Sequence, residues 1–70
     1  MNRDVLKGQW KQLKGELQQE WGDLTNDEVD RIEGDAEKLS GILQERYGWA
    51  RADAEQRIDR WLSTRTARSQ

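Results

Sequence analysis

Seventy residues contain no cysteine, no histidine, no proline and no phenylalanine. The missing cysteine removes disulfides and thiol chemistry, and with histidine also absent nearly every zinc arrangement and histidine general-base catalysis are excluded. The start, Met1-Asn2-Arg3-Asp4-Val5-Leu6-Lys7, carries no apolar run of signal-peptide length. No stretch approaches the roughly 20 apolar residues of a membrane span, so the expected compartment is the cytoplasm. Aliphatic residues are scarce as well. Leucine, isoleucine and valine together number 12 of 70, below the rough 20% line associated with disorder.

Two features restore the balance towards a fold. The net charge is only −2, and four tryptophans and one tyrosine supply large apolar area. A chain of this length forms one small domain that buries only about 60% of its extended surface, which leaves little room for a catalytic cavity.

The chain also echoes itself. Leu13, Gly15, Leu17, Gln18, Trp21, Gly22, Asp27, Arg31 and Ile32 return 26 positions later as Leu39, Gly41, Leu43, Gln44, Tyr47, Gly48, Asp53, Arg57 and Ile58. A period of this size is a supersecondary unit that stacks on its copy. Leu6, Trp10, Leu13, Leu17 and Trp21 step by 4, 3, 4 and 4, the spacing of one helix side. They predict a first helix over about residues 3–21, capped by Asn2 and ended by a left-handed Gly22. Thr25 and Glu28 form a capping box, with Leu24 and Val29 as its hydrophobic staple, so a second helix begins at Asn26 and ends near Gly34. A third runs from about Asp35 to Tyr47 on Ala36, Leu39, Leu43 and Tyr47, with Gly48 as its stop. A fourth spans about Arg51 to Leu62 on Ala54, Ile58, Trp61 and Leu62. The expected architecture is all-α, four short helices as two crossed helical hairpins in a compact bundle over residues 1–62. Residues 63–70 form a flexible C-terminal tail.

Candidate chemistry is sparse. Lys7, Lys11 and Lys14 lie with Arg3 on a basic flank beside the apolar stripe, a pattern that tracks phosphates or simply solvates a helix. Gly8 and Gly15 fall on the outward side of the same helix; they either weaken it or admit another backbone. Asp27, Glu28, Asp30 and Glu33 lack the order of a calcium loop. Trp10, Trp21 and Trp61 lie on apolar stripes and belong to the core. Trp49 follows Gly48 in a turn, where the first copy has Asp23, and is the leading contact residue, with Arg51 beside it. Thus the candidate contact surface is Trp49, Arg51, Lys7, Lys11 and Lys14, with no catalytic, cofactor or metal-binding residue.

Trp10-Lys11-Gln12-Leu13-Lys14-Gly15, Trp21-Gly22-Asp23-Leu24-Thr25, Ile32-Glu33-Gly34 and Gln44-Glu45-Arg46-Tyr47-Gly48, followed by Ala54-Glu55 and Trp61, resemble the CsbD-like family of small bacterial stress-response proteins. The resemblance implies two crossed helical hairpins, expression tied to general stress regulons, and no catalytic residues. Trp49 is bulkier than that pattern leads one to expect, and the Arg/Ser/Thr tail lies outside it. The expectation is a non-enzymatic stress-response protein that acts by binding or protection, without cofactor, with a protein partner possible, as a monomer or weak homodimer. The alternative is a nucleic-acid-binding helical-hairpin module, its weakness being the acids Asp23 and Asp27 in the turn where a phosphate would sit.

Overall fold

The strongest local signal in the sequence is also the best-formed feature of the structure. The computed structural model describes residues 4–67. Thr25, extended at φ −80° and ψ 163°, accepts from the Glu28 N–H while the Glu28 carboxylate accepts from the Thr25 N–H at 2.9 Å, so two amide donors that a helix start leaves open are satisfied reciprocally. Five helices follow in order: α1 Asp4–Gly8, α2 Trp10–Glu20, α3 Asn26–Ile32, α4 Ala36–Tyr47 and α5 Arg51–Ala67. No strand occurs among the described residues.

The first predicted helix is in fact two, which makes five helices rather than four. Gln9 leaves the helical region at φ −117° and ψ 28° and starts α2 without a side-chain cap. Gly8, the poorest helix former short of proline, stands just before the break. A straight helix would carry Leu6 along the α2 axis and off the core. Breaking it lays the Leu6–Lys7 backbone against Gly34, and Leu6 becomes fully buried. The Asn2 cap assigned from the sequence lies outside the described residues.

Gly22 is a second correction. It is not left-handed; Trp21 itself ends α2 at φ −121° and ψ 78°, its N–H donating to the Leu17 carbonyl. The left-handed glycine stop applies instead to Gly48, at φ 74°. At the end of α3 two consecutive residues turn left-handed, Glu33 at φ 48° and Gly34 at φ 80°. Asp35 then caps α4 through its carboxylate, which accepts from the Glu37 N–H at 2.9 Å. Helix α5 runs past Leu62 to Ala67. No glycine or proline stands between Ser63 and Ala67 to stop it, and the Thr64 hydroxyl donates to the Arg60 carbonyl at 3.0 Å. The tail boundary drawn after Leu62 therefore does not mark a helix end, and residues 68–70 lie outside the described part.

The core is a single cluster in which Leu6, Leu17, Val29, Ile32, Leu39 and Leu43 are completely shielded, joined by Ile58 and Leu62 and by the indoles of Trp21 and Trp61. Those two rings lie 5.4 Å apart at an interplanar angle of 60°, a tilted geometry that aromatic quadrupoles favour. Helix α1 packs on α2, α3 on α4 and, most extensively, α4 on α5. Side chains tie α2 to α3: Lys14 Nζ lies 2.8 Å from Asp30, and the Gln18 amide donates to the Asn26 side chain at 2.8 Å. Trp10, placed in the core from its spacing, is only half-buried, because the break at Gln9 turns the start of α2 towards the surface.

Candidate functional site

The turn between α4 and α5 holds two of the five candidate contact residues. Left-handed Gly48 reverses the chain while its N–H donates to the Gln44 carbonyl at 2.9 Å, and the two-residue step from Tyr47 to Trp49 brings their rings face to face. The centroids are 4.5 Å apart and the planes differ by 10°. The Arg57 guanidinium, two turns into α5, sits 4.1 Å from the Trp49 ring centroid. Trp49 is half-buried and packs against the core cluster. It is thus engaged by a ring and by a cation of its own chain, and what it presents outward is an edge of a filled corner. Arg51 stands next to it on α5, its Nε donating to Glu55 at 2.9 Å one turn later. Such an exposed i,i+4 pair contributes about 0.3–0.5 kcal/mol and leaves the guanidinium accessible.

The three lysines lie elsewhere. Lys7 and Lys11 flank a small depression with Trp10, and Lys7 also borders a second one in which Asp4, Glu33, Asp35 and Glu37 supply four acids. Lys14 is paired with Asp30. The structure therefore gathers Trp49 with Arg51 and Lys7 with Lys11, but among the described residues no hydrogen bond or ion pair joins the two groups. Arg57 escaped the sequence reading as a member of the Trp49 corner, because its eight-residue separation crosses a turn whose geometry no periodicity reports.

The acidic segment does more than open a helix. From Glu20 to Glu37 the sequence contains eight acids against Arg31 alone. Within it Glu28 is used twice, in the capping box and in an ion pair with Arg46 of α4. The backbone hydrogen bond from Thr25 first, and then the Arg46 guanidinium, hold the Glu28 carboxyl below its ordinary value of 4.5. Glu28 in turn holds Arg46 still more firmly protonated. A carboxyl whose folded pKa is depressed adds stability above its unfolded pKa and loses it as pH falls through the folded value. Stability should therefore fall below about pH 4.5, and Glu28→Gln, which keeps an acceptor for the Thr25 N–H but cannot ionise, should flatten that acid limb by lowering stability at neutral pH towards the value the wild type reaches in acid. Chemical denaturation between pH 3 and 7 measures it; equal acid limbs in the two proteins would refute the assignment.

Among the described residues no group of three or more acids converges as metal ligands, and no helix is long and apolar enough to cross a membrane. The depressions are open and rimmed by charge.

A family model, CsbD-like, matches residues 4–56. The chain belongs to the CsbD-like family. Among its relatives, a UPF0337 protein of Pseudomonas aeruginosa is 55% identical over 58 residues, covering 83% of this chain and 89% of that one. The UPF0337 protein YjbJ of Escherichia coli is 46% identical over 61 residues, covering 87% and 88%, and a UPF0337 protein of Bordetella pertussis is 48% identical over 58 residues, covering 83% and 88%. No solved structure matches the chain. The CsbD-like match ends at Gln56, whereas the core goes on through Ile58, Trp61 and Leu62. Of the Trp49 corner it takes in Tyr47, Trp49 and Arg51 and stops one residue short of Arg57.

Proposed function

We propose that this CsbD-like chain is a non-enzymatic, cytoplasmic bacterial stress-response protein that works by binding or shielding other macromolecules. The stress role follows from the family resemblance; the manner of action follows from the surface. The observation that carries it is the contrast between a small, wholly buried aliphatic and indole core and an exterior of open, charge-rimmed depressions. With 37% charged residues and a mean hydropathy of −1.21, such a surface stays hydrated when neighbouring proteins lose solvent, and a core this small opens at low free energy. The absence of both histidine and cysteine from the sequence withholds the two side chains that most often supply base and nucleophile near neutral pH. The 26-residue echo supports a duplicated hairpin, α2–α3 repeated as α4–α5, as the origin of the architecture.

The test is the aggregation of a heat-labile or drying-labile enzyme, followed by light scattering with this protein at equimolar ratio. Reduced scattering and higher recovered activity are expected, beyond what an equal mass of a similarly charged unrelated protein gives. An effect no larger than that control would refute shielding. Anisotropy titration of fluorescent single- and double-stranded DNA at low salt, with Arg51→Glu as control, tests the nucleic-acid reading; tight, salt-dependent binding lost in the variant would replace shielding as the mode of action.

A further inference from the structure

The outer face of α4 carries two exposed charges of opposite sign, one near each end. Lys38 stands in its first turn beside Glu37, and Glu45 in its last beside Arg46, so on this face, unlike on the neighbouring one, each charge opposes the helix dipole: a cation where the amide donors gather, an anion where the carbonyls do. Neither forms an ion pair within the described chain, although both are exposed. Between them lie Ile42, only half-buried, and Gly41, where an added Cβ would meet nothing within 4 Å. Arg31 and Glu33 at the end of α3 complete the rim of the shallow apolar patch formed there.

This set is self-complementary. Lys38 and Glu45 are equidistant from the midpoint between Gly41 and Ile42, about 10 Å apart along the axis at 1.5 Å per residue. When α4 meets a second, antiparallel α4 centred on that midpoint, Lys38 faces the second copy's Glu45, and Glu45 faces its Lys38. Ile42 enters the space left by the second copy's Gly41, and the reciprocal contact forms as well. Both charges gain an ion-pair partner, and a glycine without a neighbour lets the backbones approach closely. The rim of two cations and two anions has no net charge to repel a copy of itself.

We propose that this protein self-associates through a two-fold antiparallel pairing of α4 centred on Gly41 and Ile42. An isologous contact of this kind closes at the dimer. With one isoleucine from each copy and two exposed ion pairs per dimer it belongs below the roughly 1,200 Å² size class, that of weak and transient contacts.

The test uses concentration-dependent amide chemical shifts and sedimentation velocity of the full chain. Wild-type shifts should move with concentration at residues 31–45, less so in high salt. Lys38→Glu alone and Glu45→Lys alone each place like charges opposite one another and should weaken association about tenfold or more. Both sites are exposed and each replacement suits the helix dipole; Lys38→Glu adds an acid to a depression that already holds Asp4, Glu33, Asp35 and Glu37, so far-ultraviolet circular dichroism of each variant first establishes that it is folded. An equimolar mixture of the two variants restores opposite charges at both contacts and should associate at least as tightly as the wild type. Concentration-independent shifts over residues 31–45, or a mixture that behaves as the average of its components, would overturn the proposal.

Discussion

Replacing Gly34 with alanine should destabilise the protein by about 2–4 kcal/mol and lower its melting temperature by roughly 10–25 °C. Two effects act together. Gly34 adopts φ 80°, where a side chain costs about 1 kcal/mol because Cβ crowds the following carbonyl. In addition, a Cβ built there would lie 2.7 Å from the Lys7 Cα and 3.3 Å from the Leu6 carbonyl oxygen. Backbone cannot swing aside as a flexible side chain does, so α1 must lift and partly withdraw Leu6, which is completely buried. Gly48→Ala isolates the first effect, since Gly48 is left-handed at φ 74° but has nothing within 4 Å; it should cost only about 1 kcal/mol. Gly15→Ala should act in the opposite direction and stabilise by up to about 1 kcal/mol, because Gly15 is helical, exposed and surrounded by open space. Thermal melts followed by circular dichroism rank the three. If Gly34→Ala and Gly48→Ala melted together, α1 would not be seated on the α3–α4 turn.

The same glycine shows what could and could not be read in advance. Elements written in local chemistry were legible. Thr25 and Glu28 define the α3 start within the four residues of the capping box, and the stripes of α4 and α5 lie on uninterrupted periodicity. The break at Gln9 was not legible, because Leu6, Trp10 and Leu13 hold perfect helical spacing across it. What breaks the helix is the better burial available to Leu6 beside Gly34, a contact between residues 28 apart in the chain. Gly22 and Gly48 occupy equivalent positions in the 26-residue echo yet differ in conformation, because Trp21 closes α2 by plunging into the core beside Trp61 whereas Tyr47 stays half-buried on Trp49. At the candidate surface, Trp49 and Arg51 were legible as neighbours in one turn. Glu55 on Arg51 was legible too, as one of the acids interleaved with the arginines at i,i+4 helix spacing, whereas Arg57 on Trp49 and Asp30 on Lys14 depend on where a turn and a second helix place side chains, and a list of basic residues does not contain that information.

Trp61→Ala should be the most damaging single truncation, with an expected loss of about 3–5 kcal/mol. For a domain of this size that approaches the whole folding free energy, so the variant should be largely unfolded at room temperature. The indole is 4% exposed and meets Trp21 in the tilted pair that joins the end of α2 to α5, so its loss empties a volume that neither helix can close without leaving its own cap or turn. Trp49→Ala provides the contrast. Trp49 is half-buried, and its removal forfeits one stacking contact with Tyr47 and one cation contact with Arg57, about 1–2 kcal/mol together. The melt should therefore shift by roughly 5–15 °C while the helices remain. That difference makes Trp49→Ala the usable probe of a contact surface, because a partner lost on that substitution is lost from a folded protein. Far-ultraviolet circular dichroism of the two variants at 25 °C decides it: a folded Trp61→Ala would mean that the two indoles do not hold α2 to α5, and an unfolded Trp49→Ala would mean that the α4–α5 corner belongs to the core.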